Sequence, residues 1–212
     1  MLLISSQSRC GRRMSFDCGR GCAAYNACSV QWNMTMPPKN PLTKQAVGAY
    51  GEKMVEAELL RRGWIPSNVN ASVRNAAEFD VIAQKAARVV LLRVKASGPG
   101  QRGFQFSVPA GTKLSVTGLR ANDITVLVSM GSDRQDDEFY IVPTKIVRKC
   151  VNAHIDEYLA QNTRKGEARK DTGQWVLYLD ALKSGEERHS HGYKDKWSKY
   201  KDGWALLDQV AS

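Results

Sequence analysis

The sequence predicts an α/β fold in which a mixed central β-sheet is covered by helices. Three observations carry this reading. Residues 43–63 have a helical period, residues 143–159 have another, and short runs of β-branched and aromatic residues lie between them. Such runs are too short and too sharply bounded by turn residues to be buried helices.

Taken in order, residues 1–41 are rich in Ser, Gly, Arg and Cys and end in Met34-Thr35-Met36-Pro37-Pro38-Lys39-Asn40-Pro41. Proline there resists both helix and sheet, so the segment is expected to be a disordered arm, with Met34 or Met36 as alternative starts. Thr43 has the chemistry of an N-cap. Val47, Tyr50, Met54, Val55, Leu59 and Leu60 then recur at helical spacing, and Gly63 follows as a C-cap. Extended pieces are expected at 69–73, 79–84 and 89–95, the last two joined as a hairpin through Lys85-Ala86-Ala87-Arg88. A flexible basic loop at 97–103 leads to an extended stretch at 104–108, and residues 110–120 have modest helical propensity. Strands are expected at 124–130 and 139–142. Pro143 fits the first turn of a helix with Ile146, Val147, Cys150, Val151 and Ile155 on its apolar side. Beyond 160, residues 161–172 are expected to be a loop and 175–179 a strand. Tyr193, Trp197, Tyr200, Trp204 and Leu207 form a heptad-like stripe, expected as an amphipathic helix docked on the core. The organisation is thus an arm (1–41), an α/β core (42–160) and a C-terminal helical extension (161–212).

The formal net charge is +10, from 31 Lys and Arg against 21 Asp and Glu, which favours a polyanionic partner. Excess positive charge is spread along the chain instead of forming one basic block. Five cysteines, an odd number, argue against a fully paired disulfide framework, and no pair has Cys-x-x-Cys spacing. The opening apolar run is too short for a secretory signal, and no stretch approaches the ~20 apolar residues of a membrane span. A cytoplasmic protein with no membrane partner is the expectation. His154, His189 and His191 show no ligand spacing.

One pairing points to chemistry. Phe79-Asp80-Val81-Ile82 puts an acid at the start of one strand, and Arg93-Val94-Lys95 puts a lysine near the end of its hairpin partner. Together with Gly51-Glu52 on the opening helix, Val94-Lys95-Ala96-Ser97 and the later Phe139-Tyr140-Ile141-Val142-Pro143, this order resembles the PD-(D/E)XK, or restriction-endonuclease-like, nuclease superfamily over roughly residues 43–143. The resemblance implies a restriction-endonuclease-like core that hydrolyses DNA phosphodiesters with magnesium or manganese. It makes Asp80 a metal ligand, Val94 the donor of a main-chain carbonyl and Lys95 the residue that orients the attacking water. Glu52 corresponds to the extra helix-borne carboxylate of some members. Magnesium prefers oxygen ligands and keeps several waters, so two protein carboxylates suffice when a phosphate completes the shell.

Arg93 stands where the family has an acid. Residues two apart on a strand share a face, and two unit charges ~4 Å apart interact by about 4 kcal/mol at an effective dielectric of 20. Relief would come from pairing Arg93 with Glu52 or Glu56, or from swinging it out to grip a DNA phosphate, a role also open to Arg102 in the basic loop. Two rival readings stay open. One is a lapsed nuclease that binds nucleic acid through Arg93 and Lys95 without cutting. The other is a partner-binding protein, such as a homodimer, that uses the C-terminal aromatic stripe.

Overall fold

The computed structural model of the chain describes residues 43–71, 79–99, 101, 103–115, 123–163, 165–179 and 197–210. Arg102, Tyr193, residues 116–120 of the stretch expected to be helical and the N-terminal arm lie outside them; the described part of that stretch, 110–115, is turn and irregular chain instead of helix. Helix α1 (Lys44–Arg61) begins as its sequence predicts, with the Thr43 hydroxyl accepting the Ala46 N–H at 3.2 Å. It ends in a Schellman arrangement: Gly63 N–H donates to Leu60 O and Trp64 N–H to Leu59 O, each at 3.0 Å. Gly63 has φ +77°, a left-handed backbone that a side chain would strain. Leu59 and Trp64 are both buried, so the cap is anchored in the core, whereas Leu60 is exposed.

Among the described residues seven strands follow: β1 (Ile65–Asn68), β2 (Val81–Lys85), β3 (Arg88–Ser97), β4 (Gly103–Ser107), β5 (Ile124–Ser129), β6 (Glu138–Pro143) and β7 (Gln174–Tyr178). Five of them form a mixed sheet in the order β1-β2-β3-β5-β6, in which β3 and β5 are parallel and the other pairs antiparallel. The hairpin turn at Ala86-Ala87 joins β2 to β3 where the sequence predicts it. The first strand is Ile65–Asn68, and the 69–71 part of the expected extended piece forms a 3-10 turn instead. β4 and β7 make a separate two-stranded ribbon, with Phe104 opposite Leu177 and Phe106 opposite Trp175.

Helix α2 (Thr144–Leu159) starts directly after Pro143 and buries Val147, Val151 and Ile155, with Ile146 and Cys150 partly covered. α1 packs on one face of the sheet and α2 with the β4–β7 ribbon on the other, so two cores flank β5. Ile124, Val126 and Val128 point into the α1 core, and Leu127 points into the α2 core. Five of the six residues of β5 are buried, the pattern of a strand covered on both faces.

The C-terminal aromatic stripe reaches the core in a different way from one continuous helix. Asp202 N–H donates to Phe139 O at 2.7 Å, and Ile141 N–H to Tyr200 O at 2.9 Å, so the chain lies along the outer edge of β6. Asp202 has φ +51° and Gly203 follows, which interrupts a helical path; α3 is the short segment Leu206–Val210. Trp197 enters the α2 core, while Trp204 and Leu207 enter the α1 core. The segment thereby covers a sheet edge that would otherwise present open hydrogen-bonding groups.

Candidate active site

β3 runs to Ser97, but its antiparallel partner β2 begins only at Val81, opposite Leu92. From residue 93 onward the β2 side of β3 therefore has no ladder partner from that strand. Asp80 fills the start of this gap. Its N–H donates to Leu92 O at 2.8 Å, one residue out of the Val81–Leu92 register, so Asp80 and Val81 both face Leu92 as in a β-bulge. The bulge turns the Asp80 carboxylate along β3, where Oδ2 accepts the Val94 N–H at 2.7 Å. In a strand, the N–H and C=O of one residue point the same way, so the Val94 carbonyl is directed to this same open edge.

The pleat assigns the remaining faces. Val90, Leu92 and Val94 belong to the α1 core, which sends Arg93 and Lys95 to the opposite face. Lys95 lies partly buried with its Nζ 5.7 Å from the centre of the Phe106 ring of β4. Burial pushes the Lys95 ammonium pKa down, and Arg93 pushes it further the same way. Asp80 and Glu52 pull it back without restoring the ordinary value.

Glu52 arrives from α1, which approaches β3 closely because residue 51 is glycine: a Cβ there would stand 2.5 Å from Ala96 Cβ. Glu52 Oε2 accepts Asn68 Nδ2 at 2.9 Å, and the same amide donates to Glu56 Oε1 at 2.9 Å. Asp80 has an equivalent partner, since Asn70 Nδ2 donates to its Oδ1 at 2.8 Å. Each acid is thus held by an asparagine two residues from the other, one at the end of β1 and one in the 3-10 turn Val69–Ala71. The Oδ1 atoms of Asn68 and Asn70 are both buried without a hydrogen-bond partner. Unsatisfied buried acceptors cost roughly 1–3 kcal/mol each, so their presence calls for a reason.

A cleft of about 600 Å³ collects these groups. Asp80, Lys95, Glu52 and Val94 all line it, together with Asn70, Lys44, Gln101 and Tyr178. The sequence singled out the first four. Lys44 was legible too, since 44, 48 and 52 lie four apart along one helical stripe with the small Gly48 between two charges. Asn70 had no such signal, because its relation to Asp80 arises only when the 3-10 turn pairs Val69 N–H with Asp80 O, at 2.9 Å.

Among the described residues, no group of three or more His, Cys, Asp or Glu side chains could hold a metal ion. Magnesium does not demand one, being commonly bound by one or two carboxylates plus waters and substrate phosphate. Two carboxylates and a strand carbonyl around one cleft, with the buried amide oxygen of the cleft-lining Asn70 beside them, fit that ion. They do not fit a four-ligand zinc site.

No family model matches the chain, and no curated protein does. Among solved structures, the chain is similar to a bacterial homing endonuclease, I-Ssp6803I, at 12% identity with a TM-score of 0.40, over 80% of this chain and 94% of that one. It is also similar to MepB, at 8% identity with a TM-score of 0.29, over 71% of this chain and 93% of that one. No helix among the described residues is long and apolar enough to cross a membrane.

Proposed function

We propose that this chain is a nuclease domain of the restriction-endonuclease-like, PD-(D/E)XK type that hydrolyses DNA phosphodiesters with magnesium or manganese. The observation that supports it is the meeting of Asp80, Glu52 and Lys95 in one cleft at the open edge of β3. Acids alone would suit a cation site and lysines alone a phosphate site. Both kinds together suit a reaction in which a cation and a water act on a phosphate.

In this reading Asp80 and Glu52 offer carboxylate oxygens to the ion, and the Val94 carbonyl a third oxygen. When bound, magnesium would polarise a phosphate oxygen and make a coordinated water more acidic. Lys95 Nζ holds the attacking water and faces the negative charge that grows on the phosphate. Its depressed pKa brings the neutral amine nearer to working pH, so the same atom can accept the water's proton. Asn68 and Asn70 keep Glu52 and Asp80 in place. Lys44 and Gln101 line the approach and can contact phosphates on either side of the cut. A cut in both strands would require two copies, one cleft to each strand.

Arg93 supports a second reading, a lapsed nuclease that grips DNA without cutting. It lies beside Lys95 and acts on it electrostatically, in the position that would otherwise contribute an acid. Plasmid nicking in magnesium and in manganese separates the two. A nuclease nicks as wild type, stops when the metal is chelated, and slows at least a hundredfold in Asp80→Ala while still binding DNA. Nicking by Arg93→Glu alone would establish the lapsed form. Nicking that survives unchanged in Asp80→Ala would rule out this cleft.

A further inference from the structure

The Asn70 carbonyl has an orientation dictated by its neighbour. A carboxylate can only accept hydrogen bonds, so the Asn70 NH2 group must face Asp80 Oδ1. Its own Oδ1 then points away from that contact, and it is buried without a partner in a side chain that lines the cleft. Asn68 repeats the motif against Glu52 and Glu56, but it is not part of the cleft lining. Of the two orphaned amide oxygens, only that of Asn70 belongs to a cleft-lining residue, and it does so beside the acid that the metal-dependent reading makes a ligand. Divalent magnesium, manganese and calcium accept amide carbonyls as well as carboxylates in their coordination shells. A guanidinium at position 93 cannot serve.

We infer that Asn70 is an oxygen ligand of the divalent cation in this cleft, supplying through Oδ1 the donor that Arg93 withholds. The inference rests on the metal-dependent reading given above. It explains why a buried acceptor is left open beside Asp80. It also explains how a site with arginine on its strand reaches a workable number of oxygen donors.

The probe is manganese, titrated calorimetrically into the full chain. Asn70→Ala loses both the donor to Asp80 and the ligand oxygen, and its affinity is expected to fall at least tenfold. Asn70→Asp keeps an oxygen and loses only the donor, so it is expected to bind manganese at least as tightly as wild type. Equal weakening in both variants would show that Asn70 merely holds Asp80, and would overturn the inference. So would unchanged affinity in Asn70→Ala when Asp80→Ala has lost binding, a result that leaves the metal-dependent reading standing. If Asp80→Ala binds like wild type, or wild type binds no manganese, that reading falls and the inference with it. Independently of any folding defect in the variants, the wild-type manganese complex with 13C-labelled asparagine is expected to show strong electron–nuclear coupling to one amide carbon, and its absence would refute the assignment.

Discussion

Lys95 weighs against stability at the place where the proposed site would use it. Burial first, and Arg93 next, make the folded chain hold this proton less tightly than the unfolded chain does, despite Asp80 and Glu52. The unfolded state then binds more protons between the depressed pKa and the ordinary 10.5, so the stability penalty is complete below the depressed pKa and fades as pH rises through that window. Lys95→Met is therefore expected to melt no lower than wild type near neutral pH, with the difference between them shrinking toward pH 10.5. Thermal melts across that range check it, and a clear loss of stability at neutral pH would contradict it. At this scale the sequence was informative about Asp80, Glu52, Val94 and Lys95, because strand and helix periods say which residues can converge. It was silent on Asn68 and Asn70, whose contacts to Glu52 and Asp80 are hydrogen bonds across 16 and 10 residues. It also left open where Arg93 would turn; strand alternation with Val94 in the core sends it away from α1.

Among the elements, the contact between α1 and β3 sets the position of Glu52. Gly51 lies against Ala96 with no room for a methyl group, so Gly51→Ala forces the helix off the strand. Overpacking of this kind costs about 1–3 kcal/mol, and the same shift carries Glu52 out of reach of the cleft. Gly51→Ala is expected to lower both the melting temperature and the manganese affinity; a variant with wild-type values for both would mean that the close approach is not needed. The elements that local pattern could reveal are those with local causes: the capped α1, the β2–β3 hairpin, the buried β5 and the helix after Pro143. The β4–β7 ribbon was legible only as two extended stretches, since strands about 70 residues apart carry no mark of their pairing. Of the aromatic stripe at the C-terminus, Trp197, Trp204 and Leu207 are buried and Tyr200 partly so, but the described residues do not form one continuous helix. Spacings of four and three are met equally by a chain that crosses a sheet edge from one core to the other.

For the whole molecule, the proposed nuclease reading together with a net charge of +10 that forms no single basic block predicts DNA binding that is broad and salt-sensitive. If about three phosphates are contacted, affinity is expected to fall roughly fortyfold between 50 and 200 mM salt, with a log–log slope near −2.7. Binding that ignores salt would contradict a phosphate-directed surface. The central claim is that the acid just before β2 and the lysine of β3 serve one reaction in one cleft. Single-turnover cleavage by wild type, Asp80→Ala, Lys95→Met and the double variant tests it most directly, because residues that act as a unit are non-additive. The expected result is a loss of about a hundredfold or more in each single variant, with the double variant no slower than the worse of the two. Losses that multiply in the double variant, or a single variant that cuts at the wild-type rate, would contradict it.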